Sequence, residues 1–225
     1  MSRLGSKIPR PRFVLVLIGL MLILLLAPTL EHVVRPGMSR MLGFVGLIIP
    51  ILAVSAAGDS GRPRRIAVGL AVLCLLASAD SIARFSQLPP QLSIGLCVIF
   101  LAYTTVRLLV GVVRIHKVTI DVIAGALASY MMVGLTWAFA YGLLETMRPG
   151  SIHGLSEGNA PLGFPALLYF SYITLLSIGF GDITPLSSTA RMMTVFEGLL
   201  GMAFTTIILA VLVAAYLNPR NDANA

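Results

Sequence analysis

Six stretches of this chain, residues 13–30, 41–57, 66–85, 92–113, 118–144 and 192–217, are almost purely apolar, and each is near the ~20 residues a helix needs to cross a bilayer. In hydrocarbon no water satisfies a peptide group, so such runs span as helices. A seventh stretch, 164–176, is equally apolar, but at 1.5 Å per residue it covers only about two-thirds of the ~30 Å hydrocarbon core. It must enter and return, which is tolerated only where protein or water covers the exposed backbone. Pro165 suits its first turn, where a missing N–H is no loss. With 57% hydrophobic and 11% charged residues, there is no room for a soluble domain. The expected fold class is an all-α membrane protein with six transmembrane helices and one re-entrant helix.

Directly after the short helix comes Thr174-Leu175-Leu176-Ser177-Ile178-Gly179-Phe180-Gly181-Asp182, two glycines around one aromatic. An L-residue rarely tolerates positive φ, so alternating ordinary and unusual dihedrals is easiest where Gly179 and Gly181 lack a β-carbon. As a bare tetrapeptide, Gly-Phe-Gly-Asp also fits a surface turn; its place between a short and a long apolar segment sets it apart. In that setting Thr174, Ser177, Ile178, Gly179, Phe180, Gly181 and Asp182 resemble the pore-loop signature of the potassium channel superfamily. The family usually has threonine at Ser177, whose hydroxyl still offers an oxygen but lacks the restraining methyl. Phe180 stands where many members carry tyrosine, so the hydroxyl that would tether the strand sideways is absent.

The resemblance implies a selectivity filter in which the backbone oxygens of Ser177, Ile178, Gly179 and Phe180, with the Ser177 hydroxyl, replace the water shell of K⁺. Thr174, Gly181 and Asp182 would support it, and Tyr169 and Phe170 occupy the places of an aromatic cuff. One filter per chain implies a homotetramer. The pore domain would be residues 118–217, with an outer helix, pore helix, filter and inner helix, followed by a short cytoplasmic tail at 218–225. Residues 1–117 resemble a voltage-sensor domain in the number and placement of their four spans but are charge-poor. Arg107 is the basic residue well inside the fourth span, with Arg114 and Lys117 near or past its end, where snorkelling to the interface accounts for them.

Basic residues set the expected orientation. Arg3, Lys7, Arg10 and Arg12 precede the first span, Arg62, Arg64 and Arg65 lie between the second and third, and Arg114 and Lys117 between the fourth and fifth. By the positive-inside rule these loops and both termini face the cytoplasm, and Asp182 faces outward. The net charge of +7 is then a topology signal rather than a nucleic-acid footprint. The basic start and apolar run resemble a signal peptide, but without a small-residue cleavage site the run reads as a retained span. The outer loop 145–161 should form a turret. Cys74 and Cys97 read as small apolar fillers rather than a disulfide pair.

Ionisable groups inside lipid need partners. Asp80 lies one turn from Arg84, which suits an interfacial ion pair, with a role as counter-charge to Arg107 as the other reading. Asp121 suits the first turn of the fifth span and is placed to meet Arg114 or Lys117. Glu197, inside the sixth span, has two readings: support behind the filter through hydrogen bonds to the pore helix, or a gating or proton-sensing role. Gly201 resembles the family's inner-helix hinge, and equally suits close helix packing. The hydroxyls of Thr205 and Thr206 either face a water-filled cavity or bond back to the preceding turn.

No Ser-His-Asp, Cys-His or metal-ligand constellation is visible, since His32, His116 and His153 are isolated, so neither an enzyme nor a cofactor is expected. The expected function is passive, K⁺-selective conduction by a homotetramer in the lipid bilayer. The alternative is a non-selective monovalent cation channel, and a transporter is disfavoured because only one filter occurs per chain. A compact chain of this kind resembles prokaryotic inner-membrane channels. The gating stimulus is not written in it.

Overall fold

The computed structural model of the protein describes residues 12–33, 61–83, 89–113, 119–157, 160–161 and 163–217. Its helices are α1 (Arg12–Val33), α2 (Arg62–Ala83), α3 (Pro90–Val113), α4 (Ile120–Met147), α5 (Phe164–Leu175) and α6 (Ser188–Leu217). Each coincides with an apolar run; the run 41–57 lies outside the described residues. Among the described residues, three helical stretches, α3, α4 and Ser188–Ile208 of α6, are long and apolar enough to cross a membrane. With 12 residues, α5 is too short to do so. Helix α6 starts a few residues before the apolar run because Ser187 caps it, its Oγ accepting the N–H of Ala190 at 3.2 Å.

The organising element is α4. Helix α3 lies antiparallel to it, with the hydroxyls of Thr105 and Thr136 3.3 Å apart and Gln91 donating to the Thr146 carbonyl near the other end. At Gly125 both α1 and α3 come close, since an added β-carbon would stand 2.7 Å from Val112 and 2.9 Å from Phe13. Thr119 caps α4 by accepting the N–H of Val122.

Helix α1 starts against the start of α4. The Asp121 carboxylate accepts the N–H groups of Phe13 and Val14 at 3.0 and 3.1 Å. Two of the four N–H groups that a helix start leaves unpaired are thereby satisfied, and a negative charge sits at the positive end of the α1 dipole. Asp121 was expected to couple the N-terminal segment to the outer helix through Arg114 or Lys117. Those two residues lie outside the described residues; the contact described is the one to the backbone of α1. The Asp80 side chain and Arg84 likewise fall outside what is described.

Helices α2 and α3 form an antiparallel pair in which Ser93 donates to the Ala77 carbonyl at 3.0 Å. One turn away Cys74 and Cys97 are joined as a disulfide with their Cα atoms 5.6 Å apart. This corrects the filler reading. Both cysteines are buried as fillers would be, but which turns of two helices face each other depends on their register, and a separation of 23 in sequence does not reveal it.

The loop after α4 is built more tightly than a plain turret. Glu145 accepts the N–H groups of Gly150 and Ile152, fixing β1 (Ile152–His153), which pairs antiparallel with β4 (Thr184–Pro185), Ile152 opposite Pro185. A second small pair joins β2 (Ser156–Glu157) to β3 (Ala160–Pro161). β4 follows the Gly-Phe-Gly-Asp segment, so this loop holds the far end of that segment.

Candidate functional site

Helix α5 runs from Gly163, which has no side chain to cap it, with proline in its first turn, to a C-terminus where every carbonyl of the last turn is taken. Such carbonyls have no partner inside a helix and need one elsewhere. The Tyr172 carbonyl accepts Leu176 N–H at 2.9 Å, Ile173 accepts Ile178 and Gly179 at 2.8 and 3.2 Å, and Thr174 accepts Ser177 at 3.0 Å. The Leu175 carbonyl accepts the Tyr130 hydroxyl of α4 at 2.9 Å. The first N–H groups of the segment 177–182 are thus folded back onto the helix, leaving its carbonyls for other partners.

The backbone that follows alternates. Ser177, Gly179 and Gly181 have φ of +58°, +57° and +85°, whereas Ile178 and Phe180 between them do not have positive φ. In an ordinary strand successive residues point to opposite sides; reversing φ at every second residue turns their carbonyls toward one side. The two glycines were expected to provide this. Ser177 was not, and a non-glycine residue held there costs about 1–3 kcal/mol, a strain that clusters at functional sites. The six residues 177–182 are all exposed, Ile178 at 50% and Phe180 at 72%. Among the described residues no group of three or more His, Cys, Asp or Glu side chains comes together. The oxygens offered are peptide carbonyls and the Ser177 hydroxyl.

Behind the segment, α5 is tied to its neighbours by hydroxyls. Tyr172 donates to the Met131 carbonyl of α4 at 2.7 Å, its ring lying where a β-carbon on Gly134 would come within 2.8 Å of it. Ser171 lies 2.8 Å from the Gly134 carbonyl and 2.5 Å from Glu197 Oε1. Tyr141 of α4 donates to Glu197 Oε2 at 2.6 Å. Glu197 is fully buried, its carboxyl bridging α4, α5 and α6. Its hydrogen-bond partners thus include a pore-helix hydroxyl, that of Ser171.

The aromatic pair separates. Phe170 is buried with its ring 4.9 Å from that of Tyr141, on the side of α5 facing α4. Tyr169 lies on the exposed side and hydrogen-bonds to Asp182. Of the two, Tyr169 therefore reaches the filter segment and Phe170 the core. Thr174 bonds back to the Phe170 carbonyl at 2.8 Å. Gly201 of α6 crosses the C-terminus of α5 so closely that a β-carbon would collide with the Leu175 carbonyl oxygen, which is the close-packing reading. Thr205 and Thr206 both bond back to the preceding turn, Thr205 to Gly201 and Met202 and Thr206 to Met202.

The end carrying Asp182 is braced from outside. At Gly154, φ is +87° and a β-carbon would collide with the Asp182 carbonyl oxygen, while the Ser151 carbonyl accepts Leu186 and Ser187. The Tyr169 hydroxyl holds the Asp182 carboxyl below the usual carboxylate range, with backbone N–H groups of Asp182 and Ile183 adding to the effect. Removing that hydroxyl lets Asp182 take up a proton more easily. Tyr169→Phe should therefore shift the acid-side change in cation flux to higher pH than in the wild type, as read by flux against the pH on the Asp182 side; an unshifted profile contradicts the bond.

Sequence reasoning missed Tyr130, Tyr141, Ser171, Tyr172 and Gly134, which do most of the tying. A signal was present: Tyr130 and Tyr141 are eleven residues apart on one apolar helix, three turns and thus one face, and hydroxyls in lipid need partners.

The family described as "Ion channel" matches residues 129–218, which covers most of α4, all of α5 and α6, and the segment between them. Over 92 residues the chain is 30% identical to a two pore potassium channel c of Oryza sativa subsp. japonica. That match covers 41% of this chain and 18% of the rice protein. No solved structure matches significantly. Residues 129–218, which carry the alternating backbone and the short helix that presents it, are thus similar to an ion-channel family.

Proposed function

We propose that the protein is a K⁺-selective channel that conducts passively as a homotetramer in the lipid bilayer. The observation that carries this is the alternation of φ at Ser177, Gly179 and Gly181 in a strand that is exposed along its whole length. Bare peptide groups cannot face hydrocarbon, so the strand must border water or other copies of itself, and four copies around an axis complete an oxygen cage for a dehydrated K⁺. In this reading the backbone oxygens of Ser177, Ile178, Gly179 and Phe180, with the Ser177 hydroxyl, bind the ions. Thr174, Gly181, Asp182, Tyr169 and Glu197 position the strand, Gly201 sets the inner helix against it, and Thr205 borders the cavity below. The exposed apolar face of α6, with Val195, Leu199 and Met202 each more than half exposed, supports packing against further copies. The potassium channel of rice supports K⁺ as the cargo.

The test is cation flux in reconstituted liposomes. K⁺ and Rb⁺ should pass and Na⁺ should not, and equal K⁺ and Na⁺ flux would favour a non-selective channel, loosened at Ser177 and Phe180. Both termini are placed in the cytoplasm and the chain in a prokaryotic inner membrane. Residues 1–117 act as a scaffold around the pore, because a steep voltage response takes about 3–4 charges per subunit moving through the field and Arg107 is the basic residue well inside α3. The conductance–voltage curve should be shallow and the same in Arg107→Gln; a steep curve that flattens in that variant contradicts the scaffold role.

A further inference from the structure

Two short oxygen–oxygen contacts meet at one hydroxyl. Ser171 Oγ lies 2.5 Å from Glu197 Oε1 and 2.8 Å from the Gly134 carbonyl oxygen, both hydrogen-bond lengths. Yet a serine hydroxyl has one proton to give, and neither an ionised carboxylate nor a carbonyl has any. With Glu197 ionised, one of the two contacts would be a pair of acceptors facing each other without a proton. With Glu197 neutral and its proton on Oε1, every group is satisfied: Oε1–H donates to Ser171 Oγ, Ser171 donates to the Gly134 carbonyl, and Oε2 accepts the Tyr141 hydroxyl at 2.6 Å. The surroundings favour that form. The carboxyl is fully buried, and among the described residues the titratable groups facing it are tyrosines, Tyr130 and Tyr141 from α4 and Tyr172 from α5. Holding an ionised carboxylate inside a membrane is costly.

We infer that Glu197 is a neutral acid in this structure and a proton-dependent latch, a positioning residue whose proton completes the chain Glu197–Ser171–Gly134 that binds the pore helix to the outer helix. When the proton leaves, Ser171 turns its hydroxyl to the carboxylate, the Gly134 contact loses its proton, and α5 separates from α4 at that turn. The last turn of α5 fixes the filter through the Ile173 carbonyl and the N–H groups of Ile178 and Gly179, so conduction falls as Glu197 ionises. The ligand of this site is the proton itself, and its effect on flux rests on the channel reading above.

The test combines pH-dependent K⁺ flux with infrared spectroscopy of the reconstituted full chain. Glu197→Gln mimics the neutral acid, its amide donating to Ser171 and its carbonyl accepting from Tyr141. Wild-type flux should fall by about tenfold as pH is raised, the scale of one buried hydrogen bond lost, whereas flux of Glu197→Gln should show no such fall on the alkaline side. Wild-type spectra should carry a protonated-carboxyl C=O band that is absent from Glu197→Gln and that disappears over the same pH range as the flux. Ser171→Ala retains the carboxyl but cuts its link to Gly134, and its flux should also lose the alkaline fall. The latch is overturned if the band is missing from the wild type at every pH, or if either variant keeps the wild-type pH profile. The infrared band reads Glu197 whether or not the pore conducts, so a titrating band without K⁺ flux would overturn the channel reading and leave the neutral acid standing.

Discussion

Gly179→Ala should reduce K⁺ flux to the level of empty liposomes while the protein still inserts and assembles. A β-carbon at Gly179 meets no atom within 4 Å in the chain, so crowding is not the cause. The cause is φ of +57°, which an alanine occupies at a cost of about 1–2 kcal/mol relative to the right-handed region, repeated in every copy around the axis. Relaxing that residue to negative φ turns its carbonyl away from those of its neighbours, and the cage loses a ring of oxygens. Hydropathy is untouched, so expression and detergent-extracted size should match the wild type. Undiminished K⁺ flux in this variant would remove Gly179 from the conduction path.

Gly201→Ala should lower thermal stability as well as flux. Its β-carbon would overlap the Leu175 carbonyl oxygen and stand 3.0 Å from the carbonyl carbon and 3.3 Å from Leu175 Cδ1. The obstacle is backbone at the end of the pore helix, where the same carbonyl holds the Tyr130 hydroxyl, and it cannot swing aside as a side chain would. Overpacking of this kind costs about 1–3 kcal/mol. A glycine serving only as a hinge predicts otherwise, because alanine in a straight helix is more stable than glycine by up to ~1 kcal/mol. Thermal unfolding of the detergent-solubilised protein separates the two: a lowered midpoint supports close packing, and a raised midpoint with reduced flux supports the hinge.

What the sequence disclosed followed from two strong constraints. Lipid leaves the backbone little choice but helix, so the apolar runs located α1 to α6, and the shortness of 164–176 alone marked α5 as too short to cross. The glycine spacing located the filter segment because positive φ has few occupants. What it did not disclose depended on which faces meet. Glu197 was visible as a charge in need of partners, but Tyr141 and Ser171 lie 56 and 26 residues away from it, and only the packing of α4, α5 and α6 brings them together. The same reason hid the Cys74–Cys97 pairing, the capping of α1 by Asp121 and the division of roles between Tyr169 and Phe170. Ser177 escaped for a different reason: its positive φ is imposed by the turn out of α5 and by the segment that follows, against the preference of the residue itself.

The central claim is that four copies of residues 177–180 surround one axis and hold dehydrated cations on it. Crystals of the detergent-solubilised protein grown in Rb⁺, read by anomalous scattering, test this most directly. Rb⁺ peaks should lie in a row on a four-fold axis, between rings formed by the carbonyl oxygens of Ser177, Ile178, Gly179 and Phe180, and should vanish when Na⁺ replaces Rb⁺. A lattice in which these strands do not face a common axis, or a four-fold axis with no ion at their level, would contradict the account.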